Sequence, residues 1–279
     1  MGLGGYLTWT AVVREISKKS PADVKILPVE AQGTVITKIV KSPIFDNNPH
    51  ITYDPWNEEE KKVFIQLNNP QTNYCKQDLP DRAVHRKDKH IIAQVCEFYG
   101  IEDPELRCEL FFTDEEVEHV NELSKQLHDD FIVIEPHSKK LYTVNRVYPF
   151  EKWQAVVNSL SKDIQVVQVG NSKAPLLENV VDMTGKTSFR EAALLIGKSK
   201  LFLSSEGGLV HAATAVDTKS LVIITGYQSL EMVAYPQNIN LYLAEHGPCG
   251  LKVECKECKR EVESHDHNEI LKKIKEHLS

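Results

Sequence analysis

The sequence predicts an α/β fold on a parallel sheet covered on both faces, and three observations carry that expectation. From Phe131 onward, short runs rich in Val, Ile and Leu alternate with stretches of helical spacing. One such run, Leu201-Phe-Leu-Ser, ends in a small polar turn, Ser205-Glu-Gly-Gly; apolar residues then resume at helical spacing at Leu209, Ala212, Ala213 and Val216. The bulk composition, 41% hydrophobic and 26% charged over 279 residues, is that of a globular chain long enough for one large domain or two ordinary ones.

In chain order, Gly2-Leu-Gly-Gly-Tyr reads as a turn opening a helix, with Leu7, Ala11, Val12 and Ile16 on one face. Val24 to Val29 reads as a strand. Residues 40 to 60 are rich in Pro, Asn and Asp and read as loop; a short strand follows at Val63 to Leu67, then another polar loop through Pro80. Ile91, Ile92, Val95, Cys96 and Tyr99 have helical spacing, stopped by Gly100. Arg107 to Phe112 reads as a strand. Thr113-Asp-Glu-Glu is a capping box for a helix to about Leu127. The polar His128-Asp-Asp marks the boundary between residues 1–128 and 129–279. Beyond it, strands are expected at Phe131–Ile134, Ile164–Val169, Val180–Asp182, Leu201–Ser204 and Ser220–Ile224. Helices are expected at Phe150–Leu160, Thr187–Lys198 and Asn268–Leu278. The closing helix, within 266–278, is amphipathic and could reach back to the N-terminal domain.

A net charge of −7 gives no general electrostatic footprint for nucleic acid, which is therefore not expected as a partner. No apolar run approaches the roughly 18–20 residues that span a bilayer. The first residues lack the basic-then-apolar order of a secretory signal, and no Ser or Thr at position 6 completes a myristoylation signal. A cytoplasmic location is expected.

In open parallel sheets, ligands bind beyond the carboxyl ends of the strands. After Phe131–Ile134 come His137, Ser138, Lys139 and Lys140, then Asn145 and Arg146, cations and hydroxyls suited to phosphate oxygens. After Val180–Asp182 comes Met-Thr-Gly-Lys-Thr-Ser, with Thr187 or Ser188 as a helix cap. After Leu201–Ser204 come Glu206, Gly207, Gly208 and His211. Paired glycines admit a ligand close to the backbone, and a new helix offers free N–H groups. Gly185-Lys-Thr is not a phosphate loop, because Val180 stands where that motif needs glycine. Gly2, Gly4 and Gly5 have no strand before them and do not make a dinucleotide fingerprint.

The piece Asp182-x-Thr-Gly-x-Thr-Ser-Phe-Arg-Glu-Ala-Ala, followed by Leu-Phe-Leu-Ser-Ser-Glu-Gly-Gly-Leu-Val-His-Ala-Ala, resembles the carboxy-terminal signature of the family-9 glycosyltransferases, the ADP-heptose heptosyltransferases. Gly2 to Ala11 is similar to their amino-terminal glycine turn, and Pro248-Cys-Gly-Leu-Lys to their tail. The resemblance implies a GT-B type α/β fold, two Rossmann-like domains facing across a cleft, with residues 1–128 on the acceptor side and 129–279 holding the nucleotide sugar. It implies donor contacts at Ser138, Lys139, Lys140, Arg146, Thr187, Ser188, Glu206, Gly207, Gly208 and His211, with Gly4 and Gly5 on the acceptor-side turn. No divalent metal is then required, since helix amides and cations stabilise a departing diphosphate.

Two departures from that family stand out. Gly5 occupies the place of the usual aspartate base, and Glu206 that of another aspartate. Asp46, His50 and Asp54 are candidate bases that the sequence does not rank. The expected activity is transfer of a sugar, a heptose by resemblance, from a nucleotide-diphosphate sugar to a saccharide or lipid-linked acceptor, with transient attachment at the inner membrane face where the acceptor is lipid-linked. The alternatives are a non-catalytic nucleotide-sugar-binding or assembly subunit and a related nucleotide-sugar epimerase.

Of six cysteines, Cys75, Cys96 and Cys108 are scattered and read as packing thiols. His246-x-x-Cys249 and Cys255-x-x-Cys258 form two close pairs that could supply one imidazole and three thiolates to a structural zinc, with His265 and His267 as alternative fourth ligands. The spacer between the pairs is shorter than in common zinc ribbons, so the sequence favours a free-thiol turn over the metal.

Overall fold

A computed structural model describes residues 1–73, 75–85, 88–137 and 143–278. The first half opens with α1 (Leu3–Lys19), whose Leu7, Ala11, Val12 and Ile16 are buried as their spacing requires. β1 (Val24–Gln32), β2 (Val35–Ile39) and β3 (Lys61–Gln66) form a three-stranded sheet in the order β2-β1-β3. β1 runs parallel to β3 and antiparallel to β2. A 3-10 turn at Pro43–Phe45 lies between β2 and β3, and β4 (Cys75–Leu79) pairs with β5 (Arg82–His85) as a separate hairpin. β4 lies where polar loop is expected through Pro80, and no element is expected over β2 or β5. β2 is an exposed edge strand except at its last residue, so no apolar alternation announces it.

α2 (Ile91–Phe98) and α3 (Asp114–Ser124) complete the half. Thr113 and Glu116 form the reciprocal capping box that their spacing predicts. Arg107 to Phe112 is not a strand. Its backbone is laid between helices: Cys108 N donates to Thr214 Oγ1 at 3.1 Å and Glu109 N to Thr10 Oγ1 at 2.8 Å. Side-chain hydroxyls thus satisfy amides that a strand would have paired in a ladder.

The second half contains β6 (Phe131–Glu135), α4 (Phe150–Leu160), β7 (Gln165–Gln168), β8 (Val181–Asp182), α5 (Phe189–Gly197), β9 (Leu201–Ser205), α6 (Gly208–Ala215), β10 (Ser220–Ile224), α7 (Leu230–Val233), β11 (Ile239–Tyr242), α8 (Lys256–Ser264) and α9 (Asn268–Leu278). Its six strands form a sheet in the order β11-β10-β9-β6-β7-β8, with every pairing parallel. The α/β expectation holds. One apolar cluster on this sheet gathers Ile132, Trp153, Leu203, Ile223, Ile270 and Ile274, so α9 packs beside α4 in its own half.

The two halves share a second apolar cluster running from Leu7 and Val12 of α1 through Val133 to Ala212 and Ala213 of α6. Arg190, on α5, is the polar clamp across this seam. Its guanidinium grips Glu116 at 2.6 and 2.8 Å and donates to the carbonyls of Pro43 at 2.9 Å and Phe111 at 2.5 Å. Glu116 is accordingly held below the usual carboxylate range, chiefly by that hydrogen bond. Among the described residues no helix is long and apolar enough to cross a membrane.

Candidate functional site

The chain order of the sheet reverses between β6 and β9: β7 and β8 extend to one side, β10 and β11 to the other. Such a switch point leaves a crevice at the carboxyl ends of the two strands. Glu135 and Ser204 are partners in the β6–β9 register, and Ser204 Oγ donates to Glu135 O at 3.0 Å. Glu206, Gly207 and Gly208 follow at this point, with Gly207 preceding the first turn of α6 in an extended conformation. A β-carbon on Gly207 would meet Ser205 O at 3.6 Å and the Glu135 carboxylate at 3.9 Å. The turn is therefore lined by backbone and by one acidic side chain that the sequence alone did not single out.

Glu206 turns inward. It is 7% exposed, and Arg146 Nη2 lies 2.6 Å from its Oε1 and 3.1 Å from its own carbonyl. The Gln228 amide nitrogen also donates to the Glu206 carboxylate. Burial pushes the carboxyl up, against the pull of Arg146. Arg146 and Glu206, both expected at the donor, are thus brought together as an ion pair. Gly208 is covered from both halves: Gly4 Cα lies 3.6 Å from where a Gly208 β-carbon would be, and Phe189 Cε2, in the second half, lies 3.3 Å from it.

His211 Nδ1 lies 2.6 Å from Tyr235 Oη, and Cys108 Sγ lies 3.6 Å from the same hydroxyl. His90 packs edge-on against the Tyr235 ring, centroids 4.6 Å apart. His90 Nδ1 accepts from Ile92 N at 3.3 Å and so caps α2; its buried Nε2 has no hydrogen-bond partner among the described residues. Burial lowers His211 to about 4, with Arg146 adding to the shift, and His90 to about 3, with His211 adding to it. Both imidazoles are neutral at neutral pH. His90 and Tyr235 carry no sequence signal of this role, because their meeting is tertiary.

Of the other expected donor residues, Ser188 caps α5: its hydroxyl accepts from Glu191 N at 3.2 Å and its amide donates to Glu191 Oε2 at 2.6 Å. Thr187 precedes it, partly exposed. Ser138, Lys139 and Lys140 lie outside the described residues. An open cavity of about 820 Å³ adjoins this edge, lined by His137, Asn145, Phe150, Asn171 and Lys173 among others, with His137 stacked on Phe150 at 5.4 Å.

The candidate bases separate. His50 Nδ1 bonds Ser17 Oγ at 2.7 Å, at the far end of α1 and about 20 Å of helix from Gly4. Asp54 accepts from Trp56 N at 2.9 Å in a local turn close to Thr52, whose amide bonds Ile26 near the start of β1. Asp46 is exposed beside Phe45, whose ring meets Tyr6 in the first turns of α1 edge-on at 5.6 Å. Gly5 offers no carboxylate.

His246, Cys249, Cys255 and Cys258 bring their ligand atoms within 4.8 Å of one another. Cys249 Sγ and Cys258 Sγ are 3.4 Å apart, and Cys258 Sγ is 3.7 Å from His246 Nε2. Thiolates on one tetrahedral zinc stand about 3.8 Å apart, so the set lies close to the spacing of a tetrahedral metal site. Glu261 Oε1 lies 2.8 Å from His246 Nδ1, the carboxylate behind a ligating imidazole that fixes its tautomer. Gly226 is required beside it, since a β-carbon there would lie 2.5 Å from His246 Cε1 and 2.9 Å from Cys258 Sγ. A hydrogen bond from Cys258 pulls Cys249 down to about 6 and pushes Cys258 up. His265 instead meets Tyr148 Oη at 2.8 Å.

Solved structures resemble the whole chain at low identity, which speaks to fold. A family-9 glycosyl transferase from Veillonella parvula DSM 2008 has a TM-score of 0.68 at 12% identity, covering 100% of this chain and 94% of that one. The E. coli ADP-heptose LPS heptosyltransferase II has a TM-score of 0.65 at 12% identity, covering 99% and 96%. The iron-containing dodecameric glycosyltransferase TibC from enterotoxigenic E. coli H10407 has a TM-score of 0.68 at 13% identity, covering 100% and 75%. No curated protein sequence matches the chain. The fold is the GT-B type of these glycosyltransferases. Residues 56–268 match the family described as glycosyltransferase family 9 (heptosyltransferase), and the chain belongs to that family.

Proposed function

We propose that this protein transfers a sugar from a nucleotide-diphosphate sugar to a saccharide or lipid-linked acceptor, with the diphosphate seated on the Glu206–His211 turn. The observation that carries the reading is the place of that turn, at the switch point between β6 and β9 where an open sheet offers strand ends and helix amides to a ligand. Arg146 supplies the cation, and the amino end of α6 supplies N–H groups, for charge that grows on the departing diphosphate. His211 is neutral and donates or accepts a hydrogen bond without adding charge. The cavity beside Asn145 and His137 has room for the nucleoside. A heptose is the sugar favoured, since TibC has been solved with ADP-D-beta-D-heptose.

In this reading the transfer step needs no divalent ion. A metal at His246, Cys249, Cys255 and Cys258 would be structural; three thiolates and one imidazole suit zinc or iron. TibC is described as iron-containing. A second reading, binding without turnover, is favoured by Gly5, which leaves the acceptor-side turn without a carboxylate.

The test is thermal unfolding with millimolar ADP, UDP or GDP, followed by product analysis with the nucleotide sugars of whichever stabilises the protein. A nucleotide present at 100 times its Kd adds about 2.7 kcal/mol to native-state stability. No shift with any of the three removes the transferase and binding readings together. Stabilisation without transfer or donor hydrolysis selects the second.

A further inference from the structure

We propose that Asn145 is a positioning residue that couples the His246–Cys249–Cys255–Cys258 cluster to the donor turn, so that metal bound there sets the affinity for the nucleoside diphosphate. This rests on the donor reading given above and adds a control on it.

Asn145 is 5% exposed, and its amide is spent on the loop between the cysteine pairs. Nδ2 donates to Leu251 O and to Val253 O, both at 2.7 Å, while Oδ1 accepts from Cys255 N at 2.8 Å. Thr143 Oγ1 donates to Leu251 O at 2.8 Å and accepts from Asn145 N at 3.1 Å. The Asn145 carbonyl accepts from Thr225 Oγ1 at 2.5 Å, just past β10. Every polar group of Asn145 is thus tied to the cysteine loop, to Thr143 or to the end of β10. The next residue is Arg146, whose guanidinium holds Glu206 at 2.6 Å.

A second connection runs in parallel. Cys249 N donates to Gly226 O at 2.7 Å and Gly250 N to Tyr227 O at 3.2 Å. Gln228, next along, reaches the Glu206 carboxylate. Cys249 and Cys255 stand at the two ends of the loop that Asn145 reads. A metal drawing their thiolates to one point fixes the carbonyls of Leu251 and Val253 and the amide of Cys255, and through them the backbone that aims Arg146. Without it, the loop is held by its hydrogen bonds to Asn145, Thr143, Gly226 and Tyr227. Coupling of this kind is reciprocal: whatever factor the metal adds to nucleotide affinity, nucleotide adds to metal affinity.

The experiment uses the full chain, zinc-loaded or stripped with chelator under reducing conditions, titrated calorimetrically with ADP, UDP and GDP. Zinc stoichiometry and far-ultraviolet circular dichroism are measured on every sample. Stripping wild type is expected to weaken nucleotide binding about tenfold, within the usual span of coupling between sites. Asn145→Ala is expected to keep zinc, to bind nucleotide about as weakly as the stripped protein, and to lose little more on stripping. Saturating nucleotide should tighten zinc binding by the same factor in wild type and not in the variant. Equal nucleotide affinity of loaded and stripped wild type overturns the proposal, as does a variant that keeps the metal dependence or a chain that takes up no zinc. If stripping unfolds the protein, zinc-loaded Asn145→Ala decides: wild-type nucleotide affinity there overturns it. Nucleotide bound without metal dependence defeats this coupling alone, whereas no binding by the loaded wild type defeats the donor reading as well.

Discussion

Gly4 and Gly208 meet backbone to backbone across the seam between the two halves: a β-carbon on Gly4 would lie 2.9 Å from Gly208 Cα. The amino ends of α1 and α6 can approach this closely because neither residue has a side chain. Gly4→Ala should therefore force the halves apart and cost about 1–3 kcal/mol, as overpacking typically does. Denaturant unfolding checks this; an unchanged midpoint would show that the seam can yield.

Arg190 should matter more than any surface ion pair. Its removal as Arg190→Met leaves Glu116 partly buried and unpaired and strips donors from two backbone carbonyls. A loss of about 3–5 kcal/mol in unfolding free energy is expected, the range for breaking a buried pair. Exposed pairs such as Lys200–Asp130 should change stability by less than about 1 kcal/mol when broken.

Acid should destabilise the fold through His211 and His90. Both have folded values, about 4 and about 3, below the ordinary 6.5, so the unfolded chain binds more protons as pH falls through 6.5. Their contribution is complete above about pH 6.5 and is lost as pH drops toward the folded values, at about 1.4 kcal/mol per pH unit for each histidine. His90→Asn keeps a residue able to cap α2 and removes one titrating group, so its stability between pH 6 and 4 should fall less steeply than that of wild type, by up to about 1.4 kcal/mol per pH unit. An unaltered slope would mean that His90 is not buried neutral.

Gly226→Ala should abolish metal binding without touching a ligand, since its β-carbon would enter the space of His246 and Cys258. Metal content after zinc reconstitution, compared with wild type, reads this out. Full retention of zinc would show that the four residues gather elsewhere.

Much of the second half was legible because its elements are local and repetitive. The bounds of α4, β10 and α9 follow directly from apolar spacing, and the caps at Thr113 and Ser188 are short-range patterns. β2 has its side chains in solvent, so no pattern announces it; the Arg107–Phe112 segment has apolar residues but borrows its hydrogen bonds from two helices, so pattern alone reads it as a strand. At the site, glycines and a histidine after a strand were visible as residues. Their surroundings were not, because Tyr235, His90 and Gln228 reach it only through the folded chain. The inward turn of Glu206 toward Arg146 has the same origin. The cysteine spacing favoured a free-thiol turn; the carboxylate of Glu261 and the bare Gly226, which make the cluster fit a metal, come from its spatial neighbours.

The most direct measurement is calorimetric titration of nucleoside diphosphate into wild type and Gly207→Ala. Among the described residues beyond its chain neighbours nothing lies closer than 3.6 Å to the new β-carbon, and the backbone there is extended, so the fold should be unaffected. If the turn cradles a diphosphate, the methyl group stands where phosphate oxygens approach, and affinity should fall at least about tenfold with melting temperature unchanged; that factor corresponds to about 1.4 kcal/mol of binding free energy. Wild-type protein that binds no nucleoside diphosphate, or a variant that binds it as tightly as wild type, would contradict a donor site at this turn.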